Sequence, residues 1–196
     1  APPQKKKTLM GFSDVTALQL FLTQNWGWKT LHGPTLNAFA RQEKTSDVER
    51  HILDLLHEKA TTVSLALSSL NELFNTEIKA PIIGGNLALI QRSIGTPWQV
   101  KSQGTILFFE DINEAPYRVA EMLDHLKHAG IFKNVKAVLF GDFSQENPEK
   151  NEDDLLEYVL QDFANNAAYP VFKNFAVGHF KNNHPVQINA PATITL

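Results

Sequence analysis

Three separated places in this 196-residue chain carry residue types suited to acyl-transfer chemistry. In the first, Gly11-Phe12-Ser13-Asp14, an apolar run from Thr8 to Phe12 gives way to helical spacing from Val15 to Gln24. A sharp strand-to-helix turn can lift a serine hydroxyl clear of the backbone and bring the next amide, that of Asp14, near an attacked carbonyl. The positive potential of a helix N-terminus favours an oxyanion there. Serine and aspartate are also common helix caps, and Val15 stands where the usual G-x-S-x-G elbow has its second glycine, so the spacing leaves nucleophile and cap both open. In the second place, Ile106-Leu107-Phe108-Phe109 runs directly into Glu110 and Asp111. A carboxylate at a strand end can orient a histidine and stabilise its protonated form, or it can cap the following helix. In the third, Val177-Gly178-His179 ends an apolar run on a histidine, the usual general base for a hydroxyl nucleophile because its pKa is about 6.5. A surface-loop role for His179 is the alternative, and His184 competes for the base.

Other chemistries have weaker support. Glu121, His125 and His128 share a helical face, but no fourth ligand is apparent and the helix has a full apolar stripe on its other side, so no metal is expected. Gly84-Gly85-Asn86 lacks the third glycine of G-x-G-x-x-G and any P-loop lysine; Asn86 reads as a helix cap. With no cysteine in the chain, disulfides and thiol catalysis are excluded. Trp26, Trp28 and Trp98 read as core or interface aromatics.

The elements that must position these residues alternate between strand and helix. Short strands are expected at Thr8–Phe12, Thr105–Phe109 and Ala137–Phe140, the last apolar throughout as doubly buried strands are. Ser46-Asp47-Val48-Glu49 is a capping-box pattern opening a helix to about His57. Ile82 to Asn86 suggests a tight turn into a short helix that ends before Gly95. Pro116 suits the first turn of a helix whose Val119, Met122, Leu123 and Leu126 form the apolar stripe, with Gly130 as its C-cap. A further helix is expected over Asp153–Phe163, then strands near Phe172–Val177, Val186–Asn189 and Thr193–Leu196. This is an α/β pattern of strand–helix layers. It divides into a nucleophile-bearing N-terminal piece (1–40), a polar helical connecting segment (41–80) and a C-terminal α/β domain (81–196) carrying Glu110 and His179. The first 40 residues hold too little to bury a core of their own, so they either pack onto the C-terminal part or need a partner segment.

Apolar residues make up 43% and charged residues 20%, ordinary for a globular protein. A net charge of −3 gives no reason to expect a nucleic-acid partner or an anionic membrane surface, and no stretch is apolar for long enough to span a bilayer. Ala1-Pro2-Pro3-Gln4 does not read as a signal peptide.

Taken in order, the motifs resemble the LD-carboxypeptidase family of serine peptidases. Gly11 to Leu18 is similar to the family's G-x-S-D-[IVF]-T-A nucleophile segment, and His32-Gly33-Pro34 to its G-P strand turn. Gly84-Gly85-Asn86-Leu87 with Ile94-Gly95-Thr96-Pro97-Trp98 resembles its G-G-N-L…G-T-P segment, Ile106 to Arg118 its most distinctive stretch, and Gly178-His179 its terminal G-H segment. The resemblance runs from about Leu9 to Ile194. It implies the end of a Rossmann-like N-terminal domain followed by a C-terminal α/β domain. It also implies Ser13 as nucleophile, His179 as general base and later acid, Glu110 as the carboxylate orienting His179, and the Asp14 amide as one oxyanion donor. The implied substrate is a murein tetrapeptide that loses its terminal D-alanine, without cofactor or metal, in a cytoplasmic homodimer. A second family branch cleaves a peptide–nucleotide antibiotic; the Glu110 to Arg118 wording looks closer to the murein branch. A non-catalytic muropeptide-binding module, or an incomplete fragment lacking the N-terminal domain, is the alternative of another class. The family's glycine-rich R-G-G-Y-G segment, source of a second oxyanion donor, has no counterpart here, since the sequence begins just before the nucleophile strand.

Overall fold

The computed structural model describes residues 2–35, 37, 40, 46–57, 67–73, 77–145, 151–179 and 183–195. Its elements are β1 (Leu9–Gly11), α1 (Val15–Phe21, continued by one wider π turn over Leu22–Trp26), β2 (Thr30–His32), α2 (Ser46–Leu56), β3 (Ser68–Ser69) and β4 (Glu77–Asn86). These are followed by α3 (Leu87–Arg92), β5 (Ile106–Glu110), α4 (Pro116–His128), β6 (Ala137–Phe140), α5 (Glu152–Asn165), β7 (Val171–Lys173), β8 (Val186–Gln187) and β9 (Ala190–Thr195).

Six strands form one sheet in the order β3-β7-β6-β5-β4-β9. The four inner strands run parallel, and β3 and β9 close the edges antiparallel. Phe108, Phe109, Phe140 and Phe172 lie fully buried along it, consistent with a sheet covered on both faces. Helix α4 covers one region of the sheet with Val119, Met122, Leu123 and Leu126, the stripe its spacing predicted. Pro116 stands at its first turn, where a missing N–H costs nothing; the C-cap is Ala129, not Gly130 as expected, and Gly130 comes one residue later at φ +75°. The layered α/β class expected from the sequence is the class observed.

The longest strand falls where no strand was expected. Strand β4 runs from Glu77 through Pro81 and Gly84-Gly85 to Asn86, residues that read locally as connecting segment and turn. Both edges compensate for its poor propensity. Its first half pairs with β9, setting Pro81 opposite Pro191, and its second half pairs with β5 from Ile82 to Asn86. Gly85 sits at φ +144° against α1, where a Cβ would lie 2.6 Å from Thr16 Oγ1, so only glycine allows that approach. The closing strands also differ from expectation, being shorter at Val171–Lys173 and Val186–Gln187 and longer at Ala190–Thr195. The reading of 41–80 as helical falls partly on residues 41–45, 58–66 and 74–76, which lie outside the described residues.

The described residues of the N-terminal piece pack onto the rest of the chain. Strand β1 pairs parallel with β2, and β2 pairs antiparallel with β8, so the tail of the chain completes a three-stranded sheet begun at the N-terminus. Behind this sheet the buried Gln19 amide donates to the carbonyls of Gly11 at 2.7 Å and Leu31 at 2.8 Å. Helix α1 is thereby anchored to β1 and β2.

Candidate active site

Ser13 occupies the turn between β1 and α1 with φ +59°, a left-handed conformation uncommon for a residue with a Cβ. Such strain persists where surrounding structure over-determines it, as at functional turns. Asp14 is the helix N-cap but makes no side-chain capping bond. Among the described residues the Ser13 hydroxyl makes no hydrogen bond either, so the capping alternative gains no support. The turn is closed by backbone bonds, Val15 N–H to Phe12 at 3.3 Å and Thr16 N–H to Ser13 at 2.9 Å.

Glu110 ends β5 with no exposed side-chain surface, and its Oε2 lies 2.8 Å from Nδ1 of His179, whose side chain is 15% exposed. Burial alone would push the Glu110 carboxyl up, but the His179 bond and the approach of His32 outweigh that and hold it below the usual carboxylate range. Burial alone would lower His179; the Glu110 bond, helped by the charges of Glu110, Asp142 and Asp111, raises it instead. An ionised Glu110 accepts from His179 Nδ1–H, which leaves Nε2 as the basic nitrogen.

The structure brings Glu110 and His179 into direct contact, and sets Phe12, the residue before Ser13, against His179. The Phe12 ring, one residue before the serine, packs edge-on against His179 with centroids 4.8 Å apart. No hydrogen bond joins Ser13 to His179. His184, the competing histidine, lies elsewhere: its ring faces His51 of α2 at 6.1 Å, and its backbone N–H bonds to Ala176. Of the candidate metal face, His125 meets the Gln91 side chain at 3.0 Å and His128 meets Asp124 at 3.5 Å. Asn86 caps α3 as expected, accepting from Leu89 N–H at 3.1 Å.

Asp142, Asn183 and His32 help hold the site, and none of them was assigned a role there from the sequence. The Asp142 N–H bonds to Val177, and the buried Asn183 accepts from Gly178 N–H at 3.1 Å; together they fix the loop carrying His179. Gly178 adopts φ +126°, and a Cβ there would lie 2.9 Å from the Cβ atoms of both Glu110 and Asp142. The Asp111 carboxylate accepts from Asn86 Nδ2 at 2.8 Å and Ala88 N–H at 2.9 Å, tying the end of β5 to the start of α3. His32, quoted only as part of a strand turn, is fully buried with Nε2 3.3 Å from Glu110 Oε1. Position alone gave no role to His32, Asp142 or Asn183, and only folding shows which atoms each of them meets.

A layered α/β protein with an acid–imidazole pair at the strand ends, beside a strained serine turn, is the class that fold and site define. The family model for the LD-carboxypeptidase C-terminal domain matches residues 79–194, and that for the N-terminal domain matches residues 2–33. The chain belongs to the LD-carboxypeptidase family. It is 39% identical over 195 residues to a Rickettsia conorii protein named as a carboxypeptidase, covering 98% of this chain and 60% of that protein. It is 34% identical over 190 residues to a Bacillus subtilis protein named as a murein peptide carboxypeptidase, covering 96% of this chain and 60% of the relative. The chain thus spans about 60% of the length of these curated relatives. Among solved structures, the muramoyltetrapeptide carboxypeptidase of Oxalobacter formigenes superposes with a TM-score of 0.78 at 26% identity, over 97% of this chain and 65% of that one. The microcin C7 self-immunity protein shares the fold, with a TM-score of 0.75 at 20% identity over 96% of this chain and 64% of that one.

Proposed function

We propose that this chain carries the catalytic set of a serine LD-carboxypeptidase that hydrolyses the L,D-amide bond holding the terminal D-alanine of murein tetrapeptides. The observation that carries this reading is the 2.8 Å contact of Glu110 with His179 beside the positive-φ turn of Ser13. In the proposed reaction His179 Nε2 takes the proton from the Ser13 hydroxyl as Oγ attacks the peptide carbonyl. Glu110 holds the ring in the tautomer with Nδ1 protonated and stabilises the imidazolium that forms. The Asp14 amide, at the start of α1, donates to the oxyanion. His179 then passes its proton to the leaving amine of D-alanine, and water attacks the acyl-Ser13 ester by the same relay in reverse.

The substrate class follows the Bacillus and Oxalobacter relatives, whose names specify a murein peptide and a muramoyl tetrapeptide. Among the described residues no helix is long and apolar enough to cross a membrane. Action in the cytoplasm, as a homodimer, on recycled cell-wall peptides completes the proposal. The test is release of D-alanine from murein tetrapeptide by the purified chain, with Ser13→Ala as control. Full activity in a folded Ser13→Ala protein would end the assignment.

The likeness of fold to the microcin C7 self-immunity protein motivates a second reading, cleavage of a peptide–nucleotide amide. Hydrolysis of that substrate class in preference to murein tetrapeptide separates the two. Tetrapeptide binding measured by calorimetry without turnover would favour the non-catalytic module.

A further inference from the structure

Glu110 has a second oxygen that the relay does not use. Oε2 faces His179, while Oε1 is buried and makes no well-formed hydrogen bond among the described residues. An ionised carboxylate oxygen sealed from water without a donor carries a large desolvation penalty. His32 Nε2 lies 3.3 Å from Oε1 and likewise has no other partner among the described residues. That separation is longer than a well-formed hydrogen bond, and neither atom has another partner among the described residues.

The surroundings of His32 leave its ring little choice of direction. It is the last residue of β2, fully buried, with Phe108 of β5 edge-on at 5.2 Å and Phe12 at 6.5 Å. Strand β2 is pinned on one side by β1, whose Gly11 pairs with His32, and on the other by β8, whose Val186 pairs with it. The ring therefore bridges the small sheet that carries the serine turn and the large sheet that carries the carboxylate. The charged and titratable groups around Glu110 are His32 from β2, His179 from the closing loop, Asp142 after β6 and its own neighbour Asp111.

We propose that His32 is a positioning residue: its Nε2–H holds Glu110 Oε1, so that Oε2 stays aimed at His179 Nδ1. This rests on the reading of Glu110 as the carboxylate that orients His179. Glu110 is then clamped between two imidazoles, one acting in the reaction and one fixing the acid. Removing the His32 donor leaves more of the carboxylate charge to act on His179, which makes the His179 imidazolium harder to deprotonate.

The experiment is nitrogen-resolved NMR of the histidine rings in the wild-type chain, His32→Phe and His32→Gln, with hydrolysis profiles recorded in parallel. In the wild type His32 Nε2 carries a proton. In His32→Phe the titration midpoint of His179 rises by about half a pH unit or more, and kcat falls about tenfold while KM changes by less than about twofold. In His32→Gln, whose side-chain amide can reach the same carboxylate oxygen, both values return toward wild type. A bare His32 Nε2 in the wild-type protein overturns the proposal without recourse to any variant, so a variant that does not fold leaves it decidable. An unmoved His179 midpoint in folded His32→Phe overturns it too, as does a Gln variant indistinguishable from Phe. If Ser13→Ala keeps full hydrolytic activity, the functional reading fails by itself, while the ring titrations still decide what His32 does to Glu110 and His179.

Discussion

The backbone N–H of Asn86 donates to Thr16 Oγ1 at 3.1 Å, joining the helix behind Ser13 to the end of β4. In the sheet Asn86 pairs in register with Glu110. One hydroxyl and one strand register thus link the helix behind the serine turn to the carboxylate. Gly85 makes this contact possible by letting Thr16 approach where a Cβ would sit.

Gly85→Ala should consequently be costly although it adds one methyl group. The backbone conformation alone is expected to cost about 1–3 kcal/mol, before the displacement of Thr16 is counted. A fall in the urea midpoint, larger than that of Gly104→Ala, checks it. Gly104 also has positive φ, but a Cβ there would meet nothing within 4 Å.

Ser13→Ala should abolish turnover by at least about 10³-fold while leaving the fold and tetrapeptide affinity nearly unchanged, since the hydroxyl is consumed only in chemistry. Its thermal midpoint should equal or exceed that of the wild type, because the hydroxyl has no described bond to lose. Calorimetry and a melting curve beside the hydrolysis assay read all three quantities.

The raised His179 pKa predicts an acid limb in the kcat/KM profile above the ordinary histidine value of 6.5, because the base must be neutral to accept the serine proton. Glu110→Gln removes the charge that raises it and permits the wrong ring tautomer, so activity should fall by about 10⁴-fold. Any residual activity should show its acid limb at lower pH. A limb that stays in place would detach Glu110 from the relay.

The same pair predicts where the fold gains from its ionisation. His179, raised above its unfolded value of 6.5, contributes stability fully present below that pH and lost as pH rises through its folded pKa. Glu110, lowered below its unfolded value of 4.5, contributes stability present above that pH and lost as pH falls through its folded pKa. The pair should thus help most between about 4.5 and 6.5. Thermal midpoints of the wild type and of Glu110→Gln/His179→Gln, measured against pH, should diverge most in that window and converge above and below it.

Gly178→Ala tests the crowding behind the histidine. A methyl group there collides with Glu110 and Asp142, so the His179 loop must shift. A loss of about 10²-fold in kcat with most of the fold retained is expected, as small misplacements of a catalytic group cost that much. Circular dichroism and steady-state kinetics check it.

Much of the protein was legible in one dimension. The α4 stripe, the Pro116 start, the apolar runs of β5 and β6 and the cap at Asn86 rest on local spacing and local hydrogen bonding, which a sequence displays directly. The residues Ser13, Glu110 and His179 stood out because each ends or follows an apolar run, and the family motifs put them in order. Strand β4 was not legible, because Pro81 and Gly84-Gly85 argue against a strand until both neighbours are present to pair with it. Nor could spacing show that β8, near the end of the chain, completes the sheet begun by β1 and β2. The contacts of Glu110 with His179 and His32 were also beyond it, since they join residues 69 and 78 positions apart. Residue types limited what chemistry was possible; strand register and burial decided which groups met, because desolvated charges must find partners and those partners come from distant parts of the chain.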